Sequence, residues 1–360
     1  MRAALHNSVV IVAGGTGGHI NAALALGERL ARRGHSISYL SGQRPLDLKL
    51  FQGLPVTHLG SWPLRTTNPL RFIMALARNL KVFVGIFVRF VRQRPRFVVG
   101  CGGYVCGPTL LAGKLLGVPV YIIEQNAVLG LTNKLLARFS DLIFTHFRVT
   151  RGLPAQLQYK VRVVGNPTRQ SIVTPPLRTP DGTLRVLVFG GSLGAQQVNE
   201  VVRAWAAQGQ AYPVSIIHQT GPGDQPAVLA GHNVQYKALP YLERIEDQYA
   251  WCDVIVARAG ASTVSELRIV RRPSLLIPFP KATDNHQWWN ALELQGEDVC
   301  PVDVVDPALP AAELLKKLGD FMGRHAPGQG VASHSGGPTV DSAETCIQEI
   351  YRHVGFVQNP

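Results

Sequence analysis

Acidic side chains are scarce in the first half of this 360-residue chain. Residues 1–166 contain 21 Lys/Arg and only 4 Asp/Glu, and the 76 residues from Leu48 to Ile123 contain ten basic residues and no acidic one. Residues 167–360 contain 15 Lys/Arg and 19 Asp/Glu. A basic half joined to a mildly acidic half predicts an anionic partner for the first half, which is nucleic acid, an anionic membrane or a phosphorylated substrate.

Cysteine pairs and targeting signals are also missing. The five cysteines form no Cys-x-x-Cys pair and have no His-rich spacing around them. This pattern disfavours a zinc site or a disulfide framework and indicates reduced thiols in a cytosolic protein. The N-terminus has one Arg before a short apolar strand, where a secretory signal peptide has a longer apolar region.

Short apolar runs alternate with helical patterns along the whole chain, which predicts parallel sheets built from βαβ units. A Pro-rich segment, Gly165–Gly182, interrupts the alternation before it restarts. The expected fold is therefore α/β, with two doubly wound Rossmann-like domains facing each other across a cleft. The expected strands are Ser8–Ala13, Ser36–Leu40, Phe97–Gly100, Val118–Ile123, Leu142–Thr145, Val161–Val164, Leu184–Phe189, Val214–His218, Val234–Ala238, Asp253–Ala257 and Ser274–Ile277.

Three glycine-rich turns follow predicted strands: Gly14–His19, Gly100–Pro108 and Gly190–Ala195. Glycine lets the backbone approach a phosphate closely and adopt positive φ. The first turn is not the dinucleotide fingerprint, because Ile20 stands where Gly or Ala is needed and no acid ends the second strand. An NAD-dependent oxidoreductase is thus disfavoured. Each turn alone is explained equally well by tight strand-to-helix packing, but three together favour a phosphate-bearing ligand.

The segment 258–291 carries the strongest pattern for a ligand site. A strand, Val254–Ala257, runs into a small-residue turn that opens a helix, and a second strand, Ser274–Pro278, leads to another helix that begins with polar side chains. Helix N-termini attract phosphate because their N–H groups and dipole favour negative charge. Polar side chains such as Glu266 and Asn290 suit a hydroxyl-rich partner, so the combination predicts a nucleotide-sugar site.

A basic amphipathic helix is expected at Arg71–Arg92. At 100° per residue its basic side chains fall in one stripe, and the remainder is strongly apolar. This pattern favours contact with an anionic lipid surface, and a core helix with a solvated basic face is the alternative. Nucleic-acid binding is disfavoured, because Phe and Val lie between the charges and no reading motif is present. The residues expected at the membrane are Arg71, Arg78, Lys81, Phe83, Phe87 and Arg89.

Seven motifs in order resemble the MurG family of bacterial glycosyltransferases, over about residues 8–350. They are Gly14–His19, Gly102–Pro108, Glu124–Asn126 with Gly130–Lys134, Gly165–Arg169, Gly190–Ala195, Gly260–Glu266 and Asp284–Ala291. The resemblance implies a GT-B fold whose last helix crosses back to the first domain. The expected division is 1–166 plus 341–360 for the acceptor- and membrane-binding domain, and 167–340 for the donor-binding domain.

The resemblance also implies an activity and its partners. The family moves N-acetylglucosamine from UDP-N-acetylglucosamine to the muramyl sugar of undecaprenyl-pyrophosphoryl lipid I, at the cytoplasmic face of the inner membrane. We therefore expect an inverting glycosyltransferase that is peripheral to that membrane. Because the chain contains no Asp-x-Asp sequence, we expect no cofactor and no tightly bound metal, with Mg²⁺ at most stimulatory.

Donor-binding roles are implied residue by residue. Glu266 matches the family residue that holds the ribose hydroxyls, although a capping box from Thr263 to Glu266 is a second interpretation. Leu242 matches a uracil contact made by the backbone, and Arg169 matches an Arg of the cleft, although a surface charge explains it almost as well. The pyrophosphate and sugar contacts are expected from Thr16, Gly17, Asn126, Ser192, Ala261, Ser262, Thr263, His286, Gln287 and Asn290.

Acceptor binding and catalysis are expected in the first domain. The attacking sugar hydroxyl must lose a proton, and a base with a pKa near the operating pH assists this step. His19 and Glu124 are rival candidates, and the sequence ranks His19 only slightly higher. The acceptor is expected to contact Gly14, Gly15, Gly18, Gly103 and Tyr104.

Two other functions stay open at the level of sequence. One is another GT-B activity on a sugar nucleotide, such as a different glycolipid glycosyltransferase or an epimerase. The other is a catalytically silent, membrane-associated sugar-nucleotide-binding subunit. The intact set of His19, Glu124, Glu266 and Gln287 speaks against a silent subunit.

Overall fold

A computed structural model describes residues 7–64, 66–176, 178–191, 193–224, 231–297, 299–329 and 340–356. Ser192 lies outside these residues. So does most of Ala326–Pro338, a segment rich in Gly, Pro and Ser that the sequence predicts to be a loop. The chain divides into two compact units, Met1–Arg169 with Val340–Pro360, and Gln170–Thr339. The structural division falls three residues after the boundary expected at Asn166.

The first unit is built on a seven-stranded parallel sheet in the order β3-β2-β1-β4-β5-β6-β7. Strands β1, β4, β5 and β6 are apolar almost throughout and buried, as expected of strands covered on both faces. The bounds are β1 Ser8–Val12, β2 Ser36–Ser41, β3 Val56–His58, β4 Phe97–Gly100, β5 Val120–Glu124, β6 Leu142–Thr145 and β7 Val161–Val163.

Helices follow most of these strands. They are α1 Gly17–Arg32, α2 Pro45–Leu50, α3 Pro69–Arg92, α4 Cys106–Leu115 and α5 Leu131–Leu136, with a 3-10 helix at Ala155–Lys160. The helix predicted at Arg71–Arg92 is confirmed and begins two residues earlier. Asn68 caps it by accepting a hydrogen bond from the Arg71 N–H at 3.1 Å, and Pro69 occupies the first turn, where its missing N–H costs nothing.

The second unit repeats the design with a six-stranded parallel sheet in the order β10-β9-β8-β11-β12-β13. Its strands are β8 Leu184–Phe189, β9 Val214–Gln219, β10 Val234–Leu239, β11 Val254–Ala257, β12 Ser274–Leu276 and β13 Val302–Val304. Its helices are α6 Gln196–Ala207, α7 Ile245–Trp251, α8 Ala261–Val270, α9 His286–Gly296 and α10 Ala311–Arg324, with a 3-10 turn at Thr283–Asn285. The predicted doubly wound α/β architecture is confirmed for both units.

The last helix, α11 (Ser342–Val354), packs against the first unit. Arg29 of α1 forms an ion pair with Asp341 at 2.9 Å, and the Tyr351 hydroxyl lies 2.6 Å from Nε2 of His35. Asp341 also caps the helix, accepting from the N–H groups of Ala343 and Glu344. These contacts attach the end of the chain to the domain that contains its beginning.

Each sheet has one point where the strand order reverses. In the first unit it lies between β1 and β4, and in the second between β8 and β11. Open α/β sheets bind ligands at such switch points, outside the carboxyl ends of the strands. All three glycine-rich turns predicted from the sequence, and the turn at Gly260, therefore lie at switch points.

Candidate functional site

His19 lies in the first turn of α1, within the glycine-rich turn after β1. Its Nδ1 is 3.1 Å from the Gly14 carbonyl oxygen, which can only accept. The neutral ring therefore carries its hydrogen on Nδ1 and its lone pair on Nε2. Thr16 caps α1 through its hydroxyl, which accepts from the His19 N–H at 3.4 Å. The turn thus fixes both the position and the tautomer of the predicted base.

The turn after β4 packs directly on the turn after β1. A Cβ added at Gly102 would stand 2.6 Å from Cδ2 of His19, and one at Gly103 would stand 2.2 Å from the Gly14 carbonyl oxygen. Both glycines have positive φ, at 106° and 92°. Only glycine permits this approach, so the predicted acceptor residue Gly103 acts through its lack of a side chain.

Glu124 ends β5 and is only 2% exposed. Its two oxygens accept four hydrogen bonds, from the backbone N–H and side-chain amide of Asn126, the Gly130 N–H and the side-chain amide of Asn133, at 2.9–3.2 Å. These hydrogen bonds occupy both oxygens of the carboxylate. The geometry therefore favours a structural role for Glu124, which holds Asn126 and the loop to α5 in place.

Sequence reasoning missed two residues beside the first turn, Asp47 and Arg44. Asp47 is fully buried and accepts from the N–H groups of Gly15 at 2.8 Å and Arg44 at 3.1 Å. The Arg44 guanidinium lies 5.1 Å from the centre of the Tyr104 ring. Burial raises the pKa of the Tyr104 phenol although Arg44 opposes this, so the hydroxyl is a donor at neutral pH. The signal available in the sequence was that Asp47 is the last acid before the acid-free stretch.

In the second unit the turn after β8 packs against the end of β9. A Cβ at Gly194 would stand 2.0 Å from the Thr220 carbonyl oxygen, and Gly194 has φ of 75°. Gly190 is equally crowded, with Ala195 2.3 Å from its added Cβ. These glycines bring the turn close to the first residues of α6. The predicted pyrophosphate contact at Ser192 lies outside the described residues.

The turn after β11 opens α8 with Gly260 as its N-cap. Ala261, Ser262 and Thr263 are the first three residues of the helix, as the pyrophosphate prediction requires. Among the described atoms near it, the buried Ser262 hydroxyl finds no hydrogen-bond partner. A buried hydroxyl on the first turn of a helix, with no partner among the described atoms, is suited to bind an anionic ligand.

Glu266 lies further along α8, is 7% exposed and accepts a hydrogen bond from the Tyr249 hydroxyl at 2.6 Å. The capping-box interpretation is wrong, because Thr263 lies inside the helix and Gly260 occupies the cap position. Tyr249, which sequence reasoning missed, is almost fully buried and orients the carboxylate. With the capping box excluded, binding of the ribose hydroxyls stays the prediction for Glu266.

The predicted sugar contacts on α9 occupy different environments. The Gln287 side-chain oxygen accepts from the Phe279 N–H at 2.9 Å, and Nδ1 of His286 lies 2.7 Å from the Thr283 carbonyl oxygen. Asn290 is fully buried and its amide donates to the Ala259 carbonyl at 3.2 Å. Asn290 therefore braces the turn that opens α8, and His286 and Gln287 are the half-buried members of the set.

Two further predicted donor residues lie in loops. Leu242 is half-buried in the loop between β10 and α7, beyond the carboxyl end of the edge strand. Arg169 is exposed and is the last residue of the first unit before the chain enters the second. Their roles toward a nucleotide remain predictions.

The surface of α3 differs from the one predicted. Phe83 and Phe87 pack 5.9 Å apart against the core of the first unit, and Arg89 donates to the hydroxyls of Thr57 and Ser38. These three side chains therefore face the domain. The exposed apolar stripe, called the α3 stripe below, consists of Ile73, Leu80, Val84, Val88 and Val91, each 42–62% exposed.

Basic side chains border the α3 stripe. Arg71, Arg78 and Lys81 are exposed, and the Arg78 guanidinium stacks 4.0 Å from the centre of the Trp62 ring. The core-helix alternative fails for most of the apolar side chains, because only Ala75, Ile86 and Phe90 of α3 are buried. Within the described part of the chain, no helix combines the length and hydropathy needed to cross a bilayer.

Comparison with known proteins identifies relatives of both units. The glycosyltransferase family 28 N-terminal domain matches residues 9–145, and the C-terminal domain of that family matches residues 185–322. The UDP-N-acetylglucosamine–N-acetylmuramyl-(pentapeptide) pyrophosphoryl-undecaprenol N-acetylglucosamine transferase of Shewanella loihica is 35% identical, over 86% of this chain and 86% of its own. The same transferase of Myxococcus xanthus is 36% identical, over 79% of this chain and 77% of its own.

A solved structure supports the same relationship. The crystal structure of Acinetobacter baumannii MurG superposes with a TM-score of 0.74 at 28% identity, covering 96% of this chain and 99% of that one.

Proposed function

Since the chain belongs to the MurG family of glycosyltransferases and has its two-domain GT-B fold, we propose that it transfers N-acetylglucosamine from UDP-N-acetylglucosamine to lipid I, forming lipid II. Lipid I is the undecaprenyl-pyrophosphoryl muramyl-peptide. The observation that carries the proposal is the α8 site. It combines a helix N-terminus, a Ser262 hydroxyl that finds no partner in the described part of the chain, and a carboxylate oriented by Tyr249. These features suit the phosphates and ribose of one nucleotide.

The reaction is a direct displacement with inversion at the anomeric carbon. Nε2 of His19 removes the proton from the attacking hydroxyl of the acceptor as the new glycosidic bond forms and the bond to UDP breaks. The hydrogen bond from Nδ1 to the Gly14 carbonyl keeps the lone pair on Nε2 and stabilises the imidazolium that results. The N-terminus of α8 stabilises the charge that develops on the leaving UDP.

The acceptor is bound at the switch point of the first unit. There Gly14, Gly15 and Gly18 belong to the turn that carries His19, and Tyr104 lies beside it. Asp47 supports this turn from below through the Gly15 N–H. We assign the acceptor diphosphate to this turn because it offers backbone N–H groups and glycine allows close approach.

The α3 stripe and its basic border support contact with an anionic membrane surface. An apolar row beside cations lies naturally at the boundary of headgroups and acyl chains. The proposal places the protein peripherally on the cytoplasmic face of the inner membrane, where the acceptor would be reached. It also assigns the positive charge of the first half to lipid and not to nucleic acid.

The first test is UDP release from UDP-N-acetylglucosamine by the purified protein, with and without a short-chain lipid I analogue. We expect release that depends on the acceptor, with UDP-glucose a poor substitute. UDP binding without acceptor-dependent release would contradict the proposed transfer and favour the silent subunit.

We further propose that the reaction needs no cofactor and no tightly bound metal, with Mg²⁺ at most stimulatory. Dialysis against EDTA should leave most of the transferase activity. Activity that is abolished by EDTA and restored only by a divalent cation would contradict this part of the proposal.

A further inference from the structure

Arg258 is a buried cation that has no acidic partner among the described residues. The residue follows β11 directly and is 7% exposed. Buried guanidinium groups are normally paired with carboxylates, since removing a charge from water is costly. Among the residues that the structure describes, no Asp or Glu forms an ion pair with Arg258. Burial accordingly lowers the pKa of Arg258 to about 10, and it remains charged at neutral pH.

The hydrogen bonds of Arg258 use only one side of its guanidinium. Nη1 donates to the Ile277 and Pro278 carbonyl oxygens at 2.9 and 2.7 Å, and to Oε1 of Gln197 at 3.2 Å. Across the described ranges, neither Nε nor Nη2 has a protein acceptor. Two adjacent donors on a planar guanidinium match the oxygens of a phosphate group.

The surroundings of Arg258 favour negative charge. Gln197 lies in the first turn of α6, and Ile277 and Pro278 follow β12, so the guanidinium lies between the start of a helix and the end of a strand. The chain passes from Arg258 through Gly260 into α8, whose N-terminus is the second helix start at this switch point. Phe279 covers part of the guanidinium at 5.6 Å and limits access of water.

We propose that Arg258 is a phosphate-binding residue of the donor site, and that the diphosphate of the nucleotide sugar is its missing counter-ion. This inference rests on the proposed function and names a contact that it did not include. The same guanidinium holds the backbone just before Phe279, whose N–H is bound by Gln287. Binding of the diphosphate therefore orders the segment that carries the predicted sugar contacts.

The test compares ligands that differ only in phosphate. Calorimetric titrations of uridine, UMP and UDP into the full-length protein give the affinity gained for each phosphate. In Arg258→Gln we expect the preference for UDP over uridine to fall by about 10- to 100-fold, the range for hydrogen bonds to a charged group. Uridine affinity should stay within about twofold of wild type.

Arg258→Lys keeps the charge and loses the paired donors, so its preference should fall by about three- to tenfold. It also carries the test if the Gln variant does not fold. Arg272→Gln is the matched control, because Arg272 is 5% exposed and donates to the Pro176 carbonyl. It lies just before β12, at the amino ends of the strands, whereas Arg258 follows the carboxyl end of β11. This control should keep the wild-type preference.

Two results would overturn the inference. If the Arg258 variants lose affinity for uridine and UDP by the same factor, Arg258 only maintains the fold of the site, and the proposed function stands. If wild type itself does not prefer UDP to uridine, both this inference and the proposed function are wrong.

Discussion

His218 should make the second unit lose stability as the pH falls. It is the second-last residue of β9, is fully buried, and lies in a chain of hydrogen bonds whose directions are determined. The Asn199 amide donates to the Thr220 carbonyl at 2.9 Å and to Asp224 at 2.6 Å. Asn199 Oδ1 must then accept from Nε2 of His218 at 3.0 Å, and Nδ1 accepts from the Tyr236 hydroxyl at 2.6 Å. The network therefore requires a neutral imidazole.

Burial and the nearby Arg203 charge lower the pKa of His218 from 6.5 to about 3. As the pH falls, His218 is therefore protonated in the unfolded chain before it is protonated in the folded one. Its contribution to the free energy of unfolding is present above pH 6.5 and is lost as the pH falls toward 3. Between pH 7 and pH 5 the loss is about 2 kcal/mol, and it hardly depends on the folded pKa as long as that value is below about 4.

The assay is urea unfolding followed by tryptophan fluorescence, which mainly reports the second unit because Trp205, Trp251, Trp288 and Trp289 lie there and Trp62 alone lies in the first. His218→Gln removes the titrating group. Between pH 7 and pH 5, the free energy of unfolding of wild type should fall by about 2 kcal/mol more than that of this variant.

Burial also lowers the pKa of His35 and His325, but both remain in the two proteins and their contributions cancel. Equal losses in wild type and variant would refute the reasoning, since they would mean that the network accepts a protonated His218.

Three other predictions concern the first unit. His19→Ala should lower kcat by about 10²- to 10⁴-fold in the UDP-release assay, with little change in UDP affinity. Glu124→Gln should mainly lower the melting temperature, because an amide cannot accept all four hydrogen bonds. A larger loss of kcat in Glu124→Gln than in His19→Ala would reverse these roles. Gly103→Ala should destabilise the unit by more than about 2 kcal/mol in denaturant unfolding. Gly107→Ala should be nearly neutral, because among the described residues no atom beyond its chain neighbours and its own helix lies within 4 Å of the new Cβ, and equal effects would contradict the packing argument. Leu80→Asp should reduce co-sedimentation with phosphatidylglycerol vesicles several-fold and leave UDP affinity unchanged, and wild-type sedimentation of this variant would exclude the α3 stripe as the contact.

The fold was largely predictable because buried parallel strands leave a strong signal. Every predicted strand is present within two residues at its ends. The two strands that were missed, Val56–His58 and Val302–Val304, have three residues each and lie at sheet edges. Segments so short carry no periodicity, and only their pairing with a neighbouring strand, β2 or β12, identifies them as strands.

The predicted helix surface was partly wrong for a related reason. Periodicity placed the basic side chains of α3 on one stripe, and Arg71, Arg78 and Lys81 are exposed there. It does not show that Arg89 contacts Thr57 and Ser38, or which apolar side chains meet the sheet. Phe83 and Phe87 are the largest apolar residues in the middle of the helix, and burying them removes more apolar area than burying Val84 or Val88. The smaller side chains are therefore left to the exposed stripe.

The roles of the site residues depend on hydrogen bonds that no motif records. His19 and Glu124 are both titratable groups at strand ends of one domain, and the sequence ranks them almost equally. The fold separates them, because Glu124 is surrounded by four N–H donors whereas His19 is held by one carbonyl that fixes its tautomer. A carboxylate that organises a loop and an imidazole that we propose as the base thus come from the same sequence pattern.

The same reasoning explains why a site residue was missed in the second unit. The sequence places Arg258 at the start of a small-residue turn, and nothing in the sequence shows that its side chain is buried. Its importance follows from an imbalance, in which a guanidinium lies between a helix start and a strand end with no acid among its described neighbours. A folded protein tolerates such a charge when a ligand supplies the opposite one, because the attraction between the two charges offsets the cost of removing the guanidinium from water. At equal free ligand concentration, UDP should therefore stabilise the second unit more than uridine does.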